Sequence, residues 1–125
     1  MIVDSDVLIW VSKGNPNAVR LIQECPGFQI SAVTWMELMR GMRNKQELQW
    51  FKKALNQWEV EVIHITESIS QQACIWVEQF CLSPSMEMAD ALIASTAKHY
   101  GLKLITGNSK HYSMILGNQV IPFLP

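Results

Sequence analysis

The chain opens with two apolar runs, Met1-Ile2-Val3 and Val7-Leu8-Ile9-Trp10, separated by the polar triplet Asp4-Ser5-Asp6. Short apolar runs bounded by polar residues predict buried strands or core-facing helical turns. Met1 to Val3 therefore reads as a first strand, and Asp6 to Lys13 as a short helix with Ser5 or Asp6 as its N-cap. Gly14-Asn15-Pro16-Asn17 predicts a turn, and Ala18 to Glu24 a helix stopped by Pro26-Gly27. Further strands are predicted over 28–31, 60–65, 102–106 and 119–123, with helices over 34–42, 47–58, 66–81, 88–100 and 109–115. In 66–81 the residues Ile69, Ala73, Trp76 and Phe80 recur at helical spacing. In 88–100 the apolar face carries Leu92, Ile93, Thr96, Ala97 and Tyr100, and Gly101 ends the helix. Ser83-Pro84-Ser85 breaks the chain between those two helices.

Strands alternating with helices predict an α/β sandwich around a mainly parallel, five-stranded sheet. With no internal repeat, linker or low-complexity segment, residues 1–125 are expected to form one domain. In open sheets of this kind, sites form at the carboxyl ends of the strands. Polar residues just after strands are thus the ones to examine.

Composition narrows the class. At 125 residues, 49% hydrophobic and a net charge of −1, the chain fits a soluble globular protein with a core of its own. No apolar stretch approaches a membrane span, and Asp4 and Asp6 interrupt the N-terminal apolar segment, so neither a membrane anchor nor a signal peptide is expected. Cys25, Cys74 and Cys81 show no metal-type spacing and read as reduced core thiols of a cytoplasmic protein. The near-neutral charge argues against a strongly basic nucleic-acid binder, but Arg40, Arg43, Lys45, Lys52 and Lys53 gather after Glu37, and Lys110 follows Asn108. A solvated helix face explains Lys52 and Lys53; Arg40 and Arg43 are candidates for phosphate contact.

Each acidic candidate has an ordinary explanation. Asp4 could be a turn residue and Asp6 a helix cap. Glu37 completes a capping box with Thr34, and Asp90 in Met88-Ala89-Asp90-Ala91 complements a helix dipole, beside a face of small residues (Ala94, Ala97) that suggests room. Asn108, in Thr106-Gly107-Asn108, is first a turn signal. These explanations leave one thing unexplained: the acids after the first strand, after the second and before the fourth all fall at one edge. Three carboxylates converging there would repel one another and call for a cation. Oxygen-only donors suit Mg²⁺ or Mn²⁺, and such a centre activates water and stabilises in-line displacement at phosphorus.

In these residues the chain resembles PIN-domain ribonucleases, most closely the VapC-type toxins of toxin–antitoxin pairs. The resemblance rests on VDSDVLI, SAVTWMELMRG, ADALIASTAKHYGLKLITGN and the following KHY, and it spans essentially the whole chain. It implies a PIN-like α/β/α sandwich with Asp4, Glu37 and Asp90 as the catalytic metal ligands for Mg²⁺ or Mn²⁺. Ser5, Asp6, Thr106 and Asn108 would be supporting polar residues, and Asn108, being uncharged where relatives often carry Asp, would weaken any second metal site. Arg40, Arg43 and Lys110 would contact RNA, while His64, His99 and His111 take no catalytic role. The implied activity is endonucleolytic hydrolysis of RNA, leaving 5′-phosphate and 3′-hydroxyl ends. The resemblance also implies a homodimer and a cognate antitoxin, held by an apolar groove drawn from Trp35, Met36, Met39, Met42, Leu48, Phe51, Leu55 and Trp58.

Three other readings remain. Asp4-Ser5-Asp6-Val7 has the DxD form of a haloacid-dehalogenase-type phosphatase, though Gly107-Asn108-Ser109 lacks the later acidic pair. A phospho-receiver domain needs an Asp where His64-Ile65-Thr66 stands. A PIN-fold protein without activity, binding RNA or a partner, is kept open by Asn108.

Overall fold

The computed structural model describes residues 1–83 and 86–125; Pro84 and Ser85, within the anticipated break, lie outside the described residues. Five short strands, β1 (Ile2–Val3), β2 (Gln29–Ser31), β3 (Glu61–Ile63), β4 (Leu104–Thr106) and β5 (Val120–Pro122), pair in the order β3-β2-β1-β4-β5. Every pairing is parallel. The helices are α1 (Ser5–Ser12), α2 (Pro16–Glu24), α3 (Ala32–Arg40), α4 (Lys45–Gln57), α5 (Glu67–Gln79), α6 (Met88–Tyr100) and α7 (Ser109–Leu116).

The two-residue period of a strand sends neighbouring side chains to opposite faces, and the central strands show how this builds two cores. Ile2 and Leu104 are register partners and pack with Val33, Trp76, Ile93, Ala97, Tyr112 and Leu116 on one face. Val3 and Ile105 are the next partners and pack with Val7, Leu8, Ile22, Phe28, Leu38 and Phe51 on the other. The result is an α/β/α sandwich whose central strand is buried on both sides; Ile2 and Val3 are fully inaccessible. Burying side chains of this size is worth ~2 kcal/mol each.

Several boundaries differ from the sequence reading, each for a local reason. Helix α1 starts at Ser5, because Asp4 itself caps it by accepting from the Ser5 N–H at 2.8 Å. The 14–17 segment is only partly a turn: Asn15 accepts from the Ala18 N–H and Pro16 opens α2. The Thr34–Glu37 capping box does not form. Ser31 caps α3 by accepting from the Val33 N–H at 3.1 Å, which places Thr34 inside the helix. Helix α3 ends at Arg40, so Arg43 lies in the connection before α4 and pairs with Glu47 at 3.1 Å. The strands are shorter than predicted. Ile69, Ala73 and Trp76 form the buried stripe expected of α5, but the helix ends at Gln79, so Phe80 falls at its C-cap and is only partly buried; the α6 bounds agree with prediction.

Two packing expectations also change. Cys74 and Cys81 are exposed rather than core thiols. Ala94 and Ala97 leave no open space beside Asp90, because both are fully buried against the sheet. Of the aromatic and methionine set, Phe51 and Leu55 are buried, Trp35, Met39, Met42 and Trp58 pack against the core, and Met36 is 55% exposed. Among the described residues no helix is long and apolar enough to cross a membrane.

Candidate active site

The chain runs outward from β1 through β2 to β3, then crosses back to lay β4 on the other side of β1. That reversal opens a crevice beyond the carboxyl ends of β1 and β4, where ligands bind in parallel sheets. Asp4 follows β1 directly, and Thr106 and Gly107 close β4. Asp4 is 4% exposed, and its two oxygens are held separately: Oδ1 accepts from the Ser5 N–H, and Oδ2 accepts from the buried Thr106 hydroxyl at 2.8 Å. Thr106 Oγ1 in turn accepts from the Asn108 N–H at 3.0 Å. Asp6 faces the same loop, its Oδ2 accepting from the Gly107 N–H at 2.9 Å while its buried Oδ1 has no partner among the described residues.

Glu37 comes in from α3. Ser5 Oγ lies 3.3 Å from Glu37 Oε1 and 3.5 Å from Asp4 Oδ1. With one hydroxyl proton it satisfies one of them at a time. Asp90 sits in the first turn of α6, which runs antiparallel to the strand it feeds and so begins at the carboxyl edge. The buried Tyr112 hydroxyl donates to Asp90 Oδ1 at 3.1 Å.

The charges are mutually felt and uncompensated. Burial, then the Asp6 charge, pushes the Asp4 carboxyl up to about 6, against the lowering effect of its Thr106 and Ser5 hydrogen bonds; Glu37 raises it further. Burial raises the Asp6 carboxyl against the Gly107 bond. Glu37 is raised by burial first, and then by Asp90, Glu87 and Asp6, against its Ser5 bond. Burial, followed by the charges of Asp4 and Asp90, drives the Tyr112 phenol far above its ordinary value. Glu37 is thus the electrostatic link between the Asp4–Asp6 pair and the Asp90–Glu87 pair. Among the described residues the sole ion pair is Arg43–Glu47, so none of these acids has a cationic partner.

This donor set suits a divalent cation in kind. The chemistry fits: oxygen donors only, negative charge left unneutralised, and a buried Asp6 oxygen without a partner. The set is open rather than closed, since among the described residues no three His, Cys, Asp or Glu side chains stand together closely enough to hold an ion as they are.

The remaining candidates distribute simply. Ser5, Asp6 and Thr106 join the cluster through the bonds given above, whereas the Asn108 side chain makes no capping bond to α7 and the residue is exposed. Arg40, Arg43 and Lys110 are exposed, as are His64, His99 and His111. Sequence reasoning missed Tyr112, Gly107 and Glu87. A Tyr inside an apolar helical stripe signals only a buried hydroxyl in need of a partner, and Glu87 precedes α6 at a position that reads as an ordinary cap. Beside Glu37 a groove of about 460 Å³ runs between α1, α3 and α4, lined by Ile9, Leu38, Met42, Trp50 and Phe51. The buried, doubly bonded Asp4 does not suit the nucleophile of a DxD phosphatase, which must meet its substrate.

Fold and site together define a parallel α/β protein with an unneutralised acidic crevice at its topological switch point. The PIN domain family model matches residues 1–114, and the chain belongs to the PIN-domain family. Solved structures with the same fold include a toxin–antitoxin complex from Klebsiella pneumoniae, at TM-score 0.80 and 27% identity over 96% of this chain and 94% of that one. VapBC-1 from nontypeable Haemophilus influenzae is similar at TM-score 0.76 and 24% identity, over 97% and 96% of the two chains. VapBC2 from Rickettsia felis, bound to a promoter DNA fragment, is similar at TM-score 0.74 and 20% identity, over 98% and 96%. No curated protein sequence matches the chain significantly.

Proposed function

We propose that this protein is a metal-dependent endoribonuclease that acts as the toxin of a toxin–antitoxin pair, working in the cytoplasm as one domain over residues 1–125. The observation that carries the reading is the arrangement of Asp4, Glu37 and Asp90 at the carboxyl edge, each tied by a neutral donor and none neutralised. Asp4, Glu37 and Asp90 would hold Mg²⁺ or Mn²⁺ and form the catalytic set. When bound, such an ion lowers the pKa of water and offsets the charge that builds on a phosphodiester. The chain's own part is orientation. Thr106 and the Ser5 N–H fix Asp4, the Ser5 hydroxyl spans Asp4 and Glu37, and Asp6 holds the Gly107 loop so that Asn108 borders the crevice.

Exposed Arg40, Arg43 and Lys110 supply positive charge for an RNA backbone near an otherwise acidic cleft. The apolar groove beside Glu37 suits an amphipathic segment of an antitoxin, in keeping with the similarity to a protein solved in a toxin–antitoxin complex. We place a homodimer in the same reading.

The test is RNA cleavage with Mg²⁺ or Mn²⁺ against EDTA, for the wild type, Asp4→Ala and Asp90→Ala, with folding checked by circular dichroism. Cleavage lost with chelator and in both variants is the expected result. Activity surviving Asp90→Ala would remove the shared-ion argument. A wild type that cleaves none of several RNAs would favour the inactive binder.

A further inference from the structure

Tyr112 is the largest side chain in the protein that is fully buried, and its ring sits among Ile2, Val33, Ile93, Leu104 and Leu116. A phenylalanine would satisfy all of that packing. What the packing does not require is the hydroxyl, which emerges from the apolar cluster at the acidic crevice and donates to Asp90 Oδ1 at 3.1 Å. A buried phenol needs a partner, but here the partner is one of the proposed ligands rather than a backbone carbonyl.

We propose that Tyr112 is the positioning residue for Asp90: its hydroxyl engages Oδ1 and thereby presents Oδ2 to a divalent cation in the crevice. The proposal rests on the metal-dependent reading above. Three features of the site support it. Asp90 stands on α6 and Tyr112 on α7, so the bond fixes the Asp90 rotamer from a second element. No other hydrogen bond to the Asp90 carboxylate is made by the described residues, whereas Asp4 has both oxygens held. The ring is clamped by the core, so the hydroxyl cannot swing away as an exposed one would. Groups that orient a metal ligand from outside commonly change metal affinity by 10–100-fold when removed.

The experiment compares Mn²⁺ binding by isothermal titration, and RNA cleavage, for the wild type, Tyr112→Phe and Asp90→Asn. Melting in EDTA reports separately on the fold. Tyr112→Phe is expected to melt close to wild type, yet bind Mn²⁺ about tenfold more weakly and lose cleavage in proportion. Asp90→Asn, which leaves the tyrosine in place, is expected to lose Mn²⁺ binding. Unchanged Mn²⁺ affinity in Tyr112→Phe, with binding lost in Asp90→Asn, overturns the role of Tyr112 while leaving the site intact. Unchanged affinity in both variants, or no binding by the wild type, overturns the metal reading itself. A Tyr112→Phe variant that melts far lower with undiminished Mn²⁺ affinity assigns the hydroxyl to stability alone and overturns the proposal.

Discussion

Replacing Gly107 by alanine places a methyl group where the structure has none to spare. A Cβ built on Gly107 would lie 2.5 Å from Asp6 Oδ2, 3.5 Å from Asp6 Cγ and 3.8 Å from the Phe123 carbonyl oxygen. Ordinary contact begins near 3.5 Å, so the carboxylate must retreat by roughly 1 Å. The same oxygen accepts the Gly107 N–H at 2.9 Å, so retreat breaks that bond and leaves both groups to water on the exposed side of the loop. Exchanged for water, a hydrogen bond is worth ~0.5–1.5 kcal/mol net, which puts the cost of Gly107→Ala at about 1 kcal/mol. With an unfolding entropy near 2.1 cal/mol/K per residue, the protein loses roughly 4 °C of melting temperature. Differential scanning calorimetry in EDTA measures this. In an Asp6→Ala background the clash and the bond are both gone, so adding Gly107→Ala should cost under ~0.5 kcal/mol. A full loss persisting in that background, or no loss in the single variant, would refute the steric argument.

Two further outcomes follow from the same neighbourhood. Because burial raises Asp4 to about 6 in the folded chain, above the ordinary ~3.9, the folded protein takes up a proton that the unfolded chain does not as pH falls through that interval. Metal-free stability should therefore increase from about pH 7.5 to about pH 5, by roughly 1.4 kcal/mol from Asp4, with Asp6 and Glu37 shifted in the same sense. A melting temperature in EDTA that is flat or falls across that range would be the contrary result. Thr34 is fully buried and its hydroxyl has no partner among the described residues, so Thr34→Val, which keeps the shape, should raise stability by ~1 kcal/mol in urea denaturation; a loss of that size would mean the hydroxyl is bonded after all.

Periodicity was enough to order the strands and helices, because each strand of this sheet is a short apolar run between turn residues. The ends were less legible. Thr34-x-x-Glu37 satisfies a capping pattern, but Ser31 satisfies the cap three residues earlier, and the chain passes from β2 into α3 with no loop between them. That shift matters for the site: once Thr34 is inside the helix, the local explanation for Glu37 disappears, and its nearest polar contact is Ser5 across the crevice at 3.3 Å. Asp4 moved the other way. Its capping role, expected of Ser5 or Asp6, is real, yet it uses one oxygen and leaves the other to Thr106, a hundred residues distant in sequence. No local pattern encodes that bond, nor the one between Tyr112 and Asp90, since both depend on β4 and α7 closing over β1 and α6. What a single sequence reveals here is which acids lie at strand ends. Which neutral donors hold them apart, and so keep three like charges from excluding one another, follows only from the order in which the strands are laid side by side.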